Sequence, residues 1–185
     1  MICDISEYQG KPDWAKLAPQ LDFIVLRASI GTREDKQYRA NASECDKRNV
    51  PYHAYHYLKA TDETSARTEA KAFVEACAET SPLFYVIDAE YSGIPSDKAR
   101  AICEAFEDGI RHYAGDVRGA VYIGHHLYKS WALDYSRYAY VWIPRYSSYA
   151  PDYPCDIWQY TSTGKVDGIS GNVDLDRLYG DKPMS

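Results

Sequence analysis

Long apolar runs are missing from this 185-residue chain, and no stretch reaches the roughly 18 uninterrupted apolar residues of a membrane-spanning helix. A membrane partner is therefore not expected. Neither GxGxxG nor GxxxxGK[ST] follows any apolar run, which leaves a nucleotide-binding sheet without support. A basic stripe is lacking too: 27 acidic residues outnumber 21 basic ones, the net charge is −6, and the charges are spread along the chain. That balance argues against nucleic acid as a partner. The five cysteines, at 3, 45, 77, 103 and 155, form no CxxC pair and no zinc spacing. They read as reduced packing thiols rather than a disulfide framework. The opening MICDISEYQG has none of the basic, apolar and small-residue order of a signal peptide. Synthesis in the cytoplasm without a leader is the expectation.

What is present is ample core material, with 45% hydrophobic and 26% charged residues. One domain over residues 1–180 is expected, with 181–185 as a tail or the start of a linker. Phenylalanine is scarce at four residues, whereas tyrosine reaches 18 and tryptophan four, which favours rings with an apolar face and a polar tip. Such rings suit a sugar-lined groove, and they also suit half-exposed packing.

Apolar, β-rich runs occur at 2–5, 22–29, 52–58, 83–90, 119–124, 139–144, 155–161 and near 172–175. Helical spacing fills 13–19, 36–49, 62–80 and 96–114, the last opening with Ser96 and Asp97 as an N-cap. Alternation of strand and helix implies parallel pairing. Beyond residue 127 the gaps shorten and fill with Tyr, Pro and Ser, leaving little room for crossover helices. A full (β/α)8 barrel needs at least ~200 residues. The fold expected is therefore α/β, an irregular, abbreviated (β/α)8-like barrel with helices missing from its C-terminal half. An open doubly wound sheet is the competitor.

In such barrels the site lies at the C-terminal ends of the strands. There the runs deliver Asp4 and Ser6, Arg27 and Ser29, His56 and Tyr57, Asp88 and Glu90, Tyr122 and His125, Trp142 and Tyr146, then Trp158, Gln159 and Tyr160, with Asp174 in the final GNVDLD segment. Asp88 and Glu90 carry the sharpest signal. Residues two apart on a strand share a face, about 6.6 Å apart along the backbone. Two carboxylates in one pocket can shift apart in pKa, one ionised and one holding a proton to donate. The bland alternative is a strand running into an acidic surface turn. His53 with His56, and His125 with His126, do not suit chelation, because residues one or three apart on a strand face opposite sides. No metal and no cofactor is called for.

Several segments together resemble glycoside hydrolase family 25, the N-acetylmuramidases. They are Asp4-Ile5-Ser6-Glu7-Tyr8-Gln9-Gly10, the Asp88-Ala89-Glu90 strand end, YHYLKA at 55–60, WIPRY at 142–146, and WQYTSTGKVDGISGNVDLD at 158–176. The chain departs from the family pattern at Tyr8, where Trp is usual, around Pro144-Arg145, and at Asp176, where Asn is common. The resemblance implies cleavage of the β-1,4 bond between N-acetylmuramic acid and N-acetylglucosamine in peptidoglycan, with Glu90 as general acid. Asp88 is then either a nucleophile or the group that orients the substrate's 2-acetamido group, and adjacency on one strand favours the second, with retention. Asp4 and Asp174 are expected to support the pair through hydrogen bonds to Asp88, Glu90 or water. Tyr57, Tyr122, Trp142, Tyr146 and Gln159 are expected to bind substrate. Two further readings stand beside this one: a non-catalytic module binding peptidoglycan or chitin chains, and an enzyme on a related N-acetylglucosamine polymer. Action on the bacterial cell wall, with a C-terminal wall-binding module beyond this chain, completes the expectation.

Overall fold

The computed structural model describes residues 1–115, 117, 119–180 and 182, so of the 181–185 tail only Lys182 is described. Among the described residues, nine strands form one sheet: β1 (Ile2–Ile5), β2 (Phe23–Ile30), β3 (Arg33–Glu34), β4 (Tyr52–Tyr57), β5 (Tyr85–Ala89), β6 (Ala120–Ile123), β7 (Val141–Pro144), β8 (Ile157–Gly164) and β9 (Val173–Leu178). β1 pairs with β2 on one side and β9 on the other, which closes eight strands into a barrel. β3 hangs on β2 as a two-residue antiparallel appendage. Its residues are charged and exposed, so no apolar run marks it in the sequence.

β1, β2 and β4 through β8 run parallel, as alternation implied, but β9 is antiparallel to both neighbours. The reason is length: only residues 165–172 join β8 to β9, and a parallel crossover takes about a dozen residues or more. The chain has to turn back. The helices thin out in the same order. α1 (Trp14–Leu17) is a single turn, α2 (Tyr38–Arg48), α3 (Glu63–Cys77) and α4 (Ala99–Ala114) are full, and α5 (Tyr128–Trp131) is again a single turn. No helix follows β7 or β8.

Local chemistry sets the helix ends. Asp62 accepts the Ser65 N–H at 2.9 Å and Ser65 reaches back to the Asp62 N–H, a reciprocal cap that starts α3. Asn49 closes α2 in the left-handed region at φ 55°, which a short polar side chain tolerates. The N-cap expected at Ser96-Asp97 is not formed. A turn from the Pro95 carbonyl to the Lys98 N–H leads directly into Ala99, and no side chain caps the helix.

Side-chain alternation divides the protein into two cores. Cys3, Ile24, Leu26, Ala54, Ile87, Val121 and Ile143 point outward under Tyr38, Phe73, Ile102, Phe106 and Ile110 of the helices. Ile2, Phe23, Val25, Val86, Ala120, Tyr122, Trp142 and Ile157 point into the barrel. The inward set is mainly apolar in the lower half, His53 apart, and becomes polar towards the upper mouth. Where β8 lacks a covering helix, Arg177 lies over the Trp158 and Tyr160 rings at 4.7 and 4.1 Å and does the covering instead. All five cysteines are unpaired thiols, four of them buried.

Candidate active site

At the upper mouth the inward residues enclose a cleft of about 220 Å³ lined by Asp4, Ser6, Tyr8, Gln9, Arg27, Tyr55, Tyr57, Asp88, Glu90, Tyr122, Trp142, Tyr146, Gln159 and Asp174. All nine residues singled out as catalytic or substrate-binding stand in it, drawn together from β1, β4, β5, β6, β7, β8 and β9. Parity explains which neighbours were lost. Tyr55 and Tyr57 face the lumen, so His56 between them faces the helices, where its ring meets Phe73 and Phe106. Ser29 lies with it: Ser29 Oγ is 2.8 Å from His56 Nδ1, and His56 Nε2 is 2.9 Å from Glu69. That Ser–His–Glu order imitates a hydrolase triad, yet all three residues are buried in the outer core and none lines the cleft. It ties α3 to β2 and β4.

Three more expected rim residues also point elsewhere. His125 accepts the Asp152 N–H and packs on Tyr153, in the loop after β7. Trp158 donates to the Arg145 carbonyl on the outer face, and Tyr160 stands beside it. Arg145, a departure from the family pattern, donates to the Ala150 carbonyl and to Asp152 and fastens the same loop. His53 faces inward but sits below the cleft between Phe23 and Phe84, where burial lowers its pKa to about 4 and keeps it neutral.

Carboxyl groups dominate the electrostatics. Asp88 is buried, and one of its oxygens has no hydrogen-bond partner. Burial first, and then the charges of Glu90 and Asp4, push its pKa well above the usual carboxylate range, while Arg27 pulls the other way. Glu90 sits at the exposed lip, raised chiefly by desolvation and further by Asp174. Asp4 and Asp174 face each other across the β1–β9 ladder, and burial raises both. Asp4 accepts the Gln159 amide at 2.8 Å. The Gln159 carbonyl in turn accepts the hydroxyls of Tyr122 and Tyr146 at 3.0 and 2.8 Å.

Arg27 is the one cation among the described residues lining the cleft. Its Nε donates to Asp35 at 2.8 Å, its Nη2 lies 3.4 Å from Glu7, and its guanidinium stacks on Tyr8 at 4.8 Å. The rings divide into floor and wall. Trp142 is only 3% exposed, edge-on to Tyr122, and forms floor. Tyr146 at 57% and Tyr8 at 78% exposure offer open ring surface. Sequence reasoning passed over Tyr55, whose alternation with Tyr57 was the available signal. It noted Asp176 only as a departure, although Asp176 lies under the cleft with Trp142 Nε1 donating to it at 2.9 Å.

A barrel that carries paired carboxyls and open rings at its C-terminal mouth has the architecture of a glycoside hydrolase. The comparisons with known proteins give the same class. Residues 3–169 match the model of glycosyl hydrolases family 25. The chain therefore belongs to that family and is a glycoside hydrolase of lysozyme type. It is similar to the catalytic domain of endolysin ply40 from bacteriophage P40 of Listeria monocytogenes, with 29% identity, a TM-score of 0.89, and 97% of this chain and 93% of that one covered. Lysozyme M1 of Streptomyces globisporus is 24% identical over 96% of this chain and 67% of its own length. The modular autolysin LytC of Streptococcus pneumoniae, solved with a synthetic peptidoglycan ligand, matches with 26% identity and a TM-score of 0.82. The alignment covers 96% of this chain and 46% of LytC.

Proposed function

We propose that the protein hydrolyses the β-1,4 bond between N-acetylmuramic acid and N-acetylglucosamine in bacterial cell-wall peptidoglycan. The observation that carries this reading is the placement of Asp88 and Glu90 on one wall of a ring-lined cleft, both with raised pKa. Glu90, at the lip, protonates the leaving oxygen, for which a carboxyl with a raised pKa is suited. Asp88 is deeper and on the same wall. It faces the sugar from the side of Glu90, not from across the bond, so it orients and polarises the 2-acetamido group rather than attacking C1. Retention at C1 follows. Tyr8 and Tyr146 stack sugar rings, and Tyr57, Tyr122 and Gln159 supply hydrogen bonds. Asp174 raises the carboxyl pair's proton affinity by its charge.

Digestion of purified bacterial walls, followed by borohydride reduction and mass spectrometry of the ends, tests the reading. Reduced muramic acid ends support it. Reduced glucosamine ends, or cleavage of chitin oligomers in preference to walls, would move the enzyme to a related N-acetylglucosamine polymer. Co-sedimentation with walls without any released ends would leave a binding module.

A further inference from the structure

Two carboxyl groups under the cleft, Asp4 and Asp176, lie within hydrogen-bonding reach of one another. Asp176 sits one step deeper than Asp174 on β9, opposite Ile2 and diagonal to Asp4, and is 5% exposed. Two ionised carboxylates at that range only repel, so the contact requires a proton on one of them. The other contacts say which. Asp4 Oδ2 accepts the Gln159 amide, so Asp4 is an acceptor. Asp176 Oδ1 accepts the Trp142 indole N–H, whereas its Oδ2 is buried and receives no N–H or O–H. A bare carboxylate oxygen there would be an uncompensated buried charge. The groups facing Asp176 do not offer a counter-charge. β1 presents Asp4 and the Cys3 thiol, its own strand presents Asp174, and β7 and β8 present Trp142 and Gln159, which do not titrate. Arg27 is committed to Asp35 and Glu7.

We propose that Asp176 is a positioning residue: it carries a proton on Oδ2 and donates it to Asp4, holding Asp4 ionised and thereby orienting the hydrogen-bond chain that runs through Gln159 to Tyr122 and Tyr146 in the cleft. The ionised Asp4 fixes the Gln159 amide with Nε2 towards it. Gln159 Oε1 then faces Tyr122 and Tyr146 and takes the hydroxyl proton of each. The chain therefore fixes which way the Tyr122 and Tyr146 hydroxyls turn in the cleft. No atom is transferred; the network sets where protons rest.

This inference rests on the proposed muramidase activity only for its kinetic readout, so the test has two parts. The carboxyl carbons of 13C-labelled aspartate are followed by NMR across pH, with Asp176 assigned as the resonance missing in Asp176→Asn. The expected result is a protonated Asp176 signal that persists through neutral pH. A signal that titrates in the ordinary carboxylate range overturns the proposal whether or not the protein cleaves walls. In the kinetic part, Asp176→Asn keeps both the acceptor for Trp142 and a donor for Asp4 without changing charge. Its kcat/KM is expected within about threefold of wild type, with both limbs of the pH profile in place. Asp176→Ala, which frees Gln159 and both tyrosines to turn, is expected to raise KM tenfold or more with kcat within a few-fold of wild type. If Asp176 were ionised, Asp176→Asn would remove a charge and shift the profile to lower pH by half a unit or more, which also overturns the proposal. Should Asp176→Ala fail to fold, the Asn variant and the NMR titration decide.

Discussion

Asp88 holds a buried oxygen without a hydrogen-bond partner, beside Gln159, Trp142 and Tyr122, which are bonded. Asp88 lines the cleft, and a carboxyl there suits a substrate N–H. Asp88→Asn is expected to keep KM within a few-fold and to lower kcat by about 10²-fold or more, as losing one transition-state contact does. Steady-state kinetics on soluble wall fragments measures both. A KM effect alone would give Asp88 a binding role instead. Glu7 makes the opposite case. Hydrogen bonds from Arg33 first, with further help from the Lys36 N–H, hold its pKa at about 2, below the ordinary 4.5. A depressed folded pKa gives stability that is present above the unfolded value and lost as pH falls towards the folded one. Melting temperatures of wild type and Glu7→Gln should therefore differ at pH 6 and converge between pH 4.5 and 2. The carboxyls of the site were legible in the sequence because an acidic residue at the end of an apolar strand breaks the burial pattern. Asp176 was harder to read, since its importance comes from β9 running backwards, which places it deeper than Asp174.

At the scale of elements, the strands were readable from their apolar runs and the four long gaps from their helical spacing. Three features were not. β3 has no apolar residue, the direction of β9 follows from loop length rather than from composition, and α4 starts without the side-chain cap its sequence suggested. Strand alternation separated Tyr55 and Tyr57 from His56 as soon as the strand was placed, yet the face of each set became known only when the barrel closed. The contact between α3 and α4 offers a sharp test of packing. Gly109 lies where an added Cβ would meet the Ala70 Cβ at 2.6 Å. Helix propensity alone would make Gly109→Ala stabilising by about 1 kcal/mol. The clash is between two atoms fixed to backbones, so the helices have to separate, at a typical cost of about 1–3 kcal/mol. Urea denaturation is expected to show a net loss of stability, and a gain would mean that the two helices pack more loosely than described.

The whole molecule carries a net charge of −6, and bacterial walls are anionic as well. Long-range electrostatics then oppose approach to the substrate instead of assisting it. Raising ionic strength from about 10 to 150 mM shortens the screening length from about 30 to 8 Å. Wall lysis by this chain is expected to speed up over that range, and turbidity clearance rates measure it. A steep slowing with salt would show that an oppositely charged patch governs binding. The chain spans about two thirds of Lysozyme M1 and about half of LytC. A wall-binding segment of the kind expected beyond this chain would offset the repulsion.

The central claim is that Glu90 is the acid of a wall-cleaving site. The direct test compares wild type with Glu90→Gln on purified walls, measuring released reducing muramic acid ends and wall co-sedimentation in the same tubes. The account expects the variant to bind walls as wild type does and to release ends at least about 10²-fold more slowly, the scale of a lost general acid. Release at the wild-type rate by Glu90→Gln would contradict it and place the acid elsewhere in the cleft.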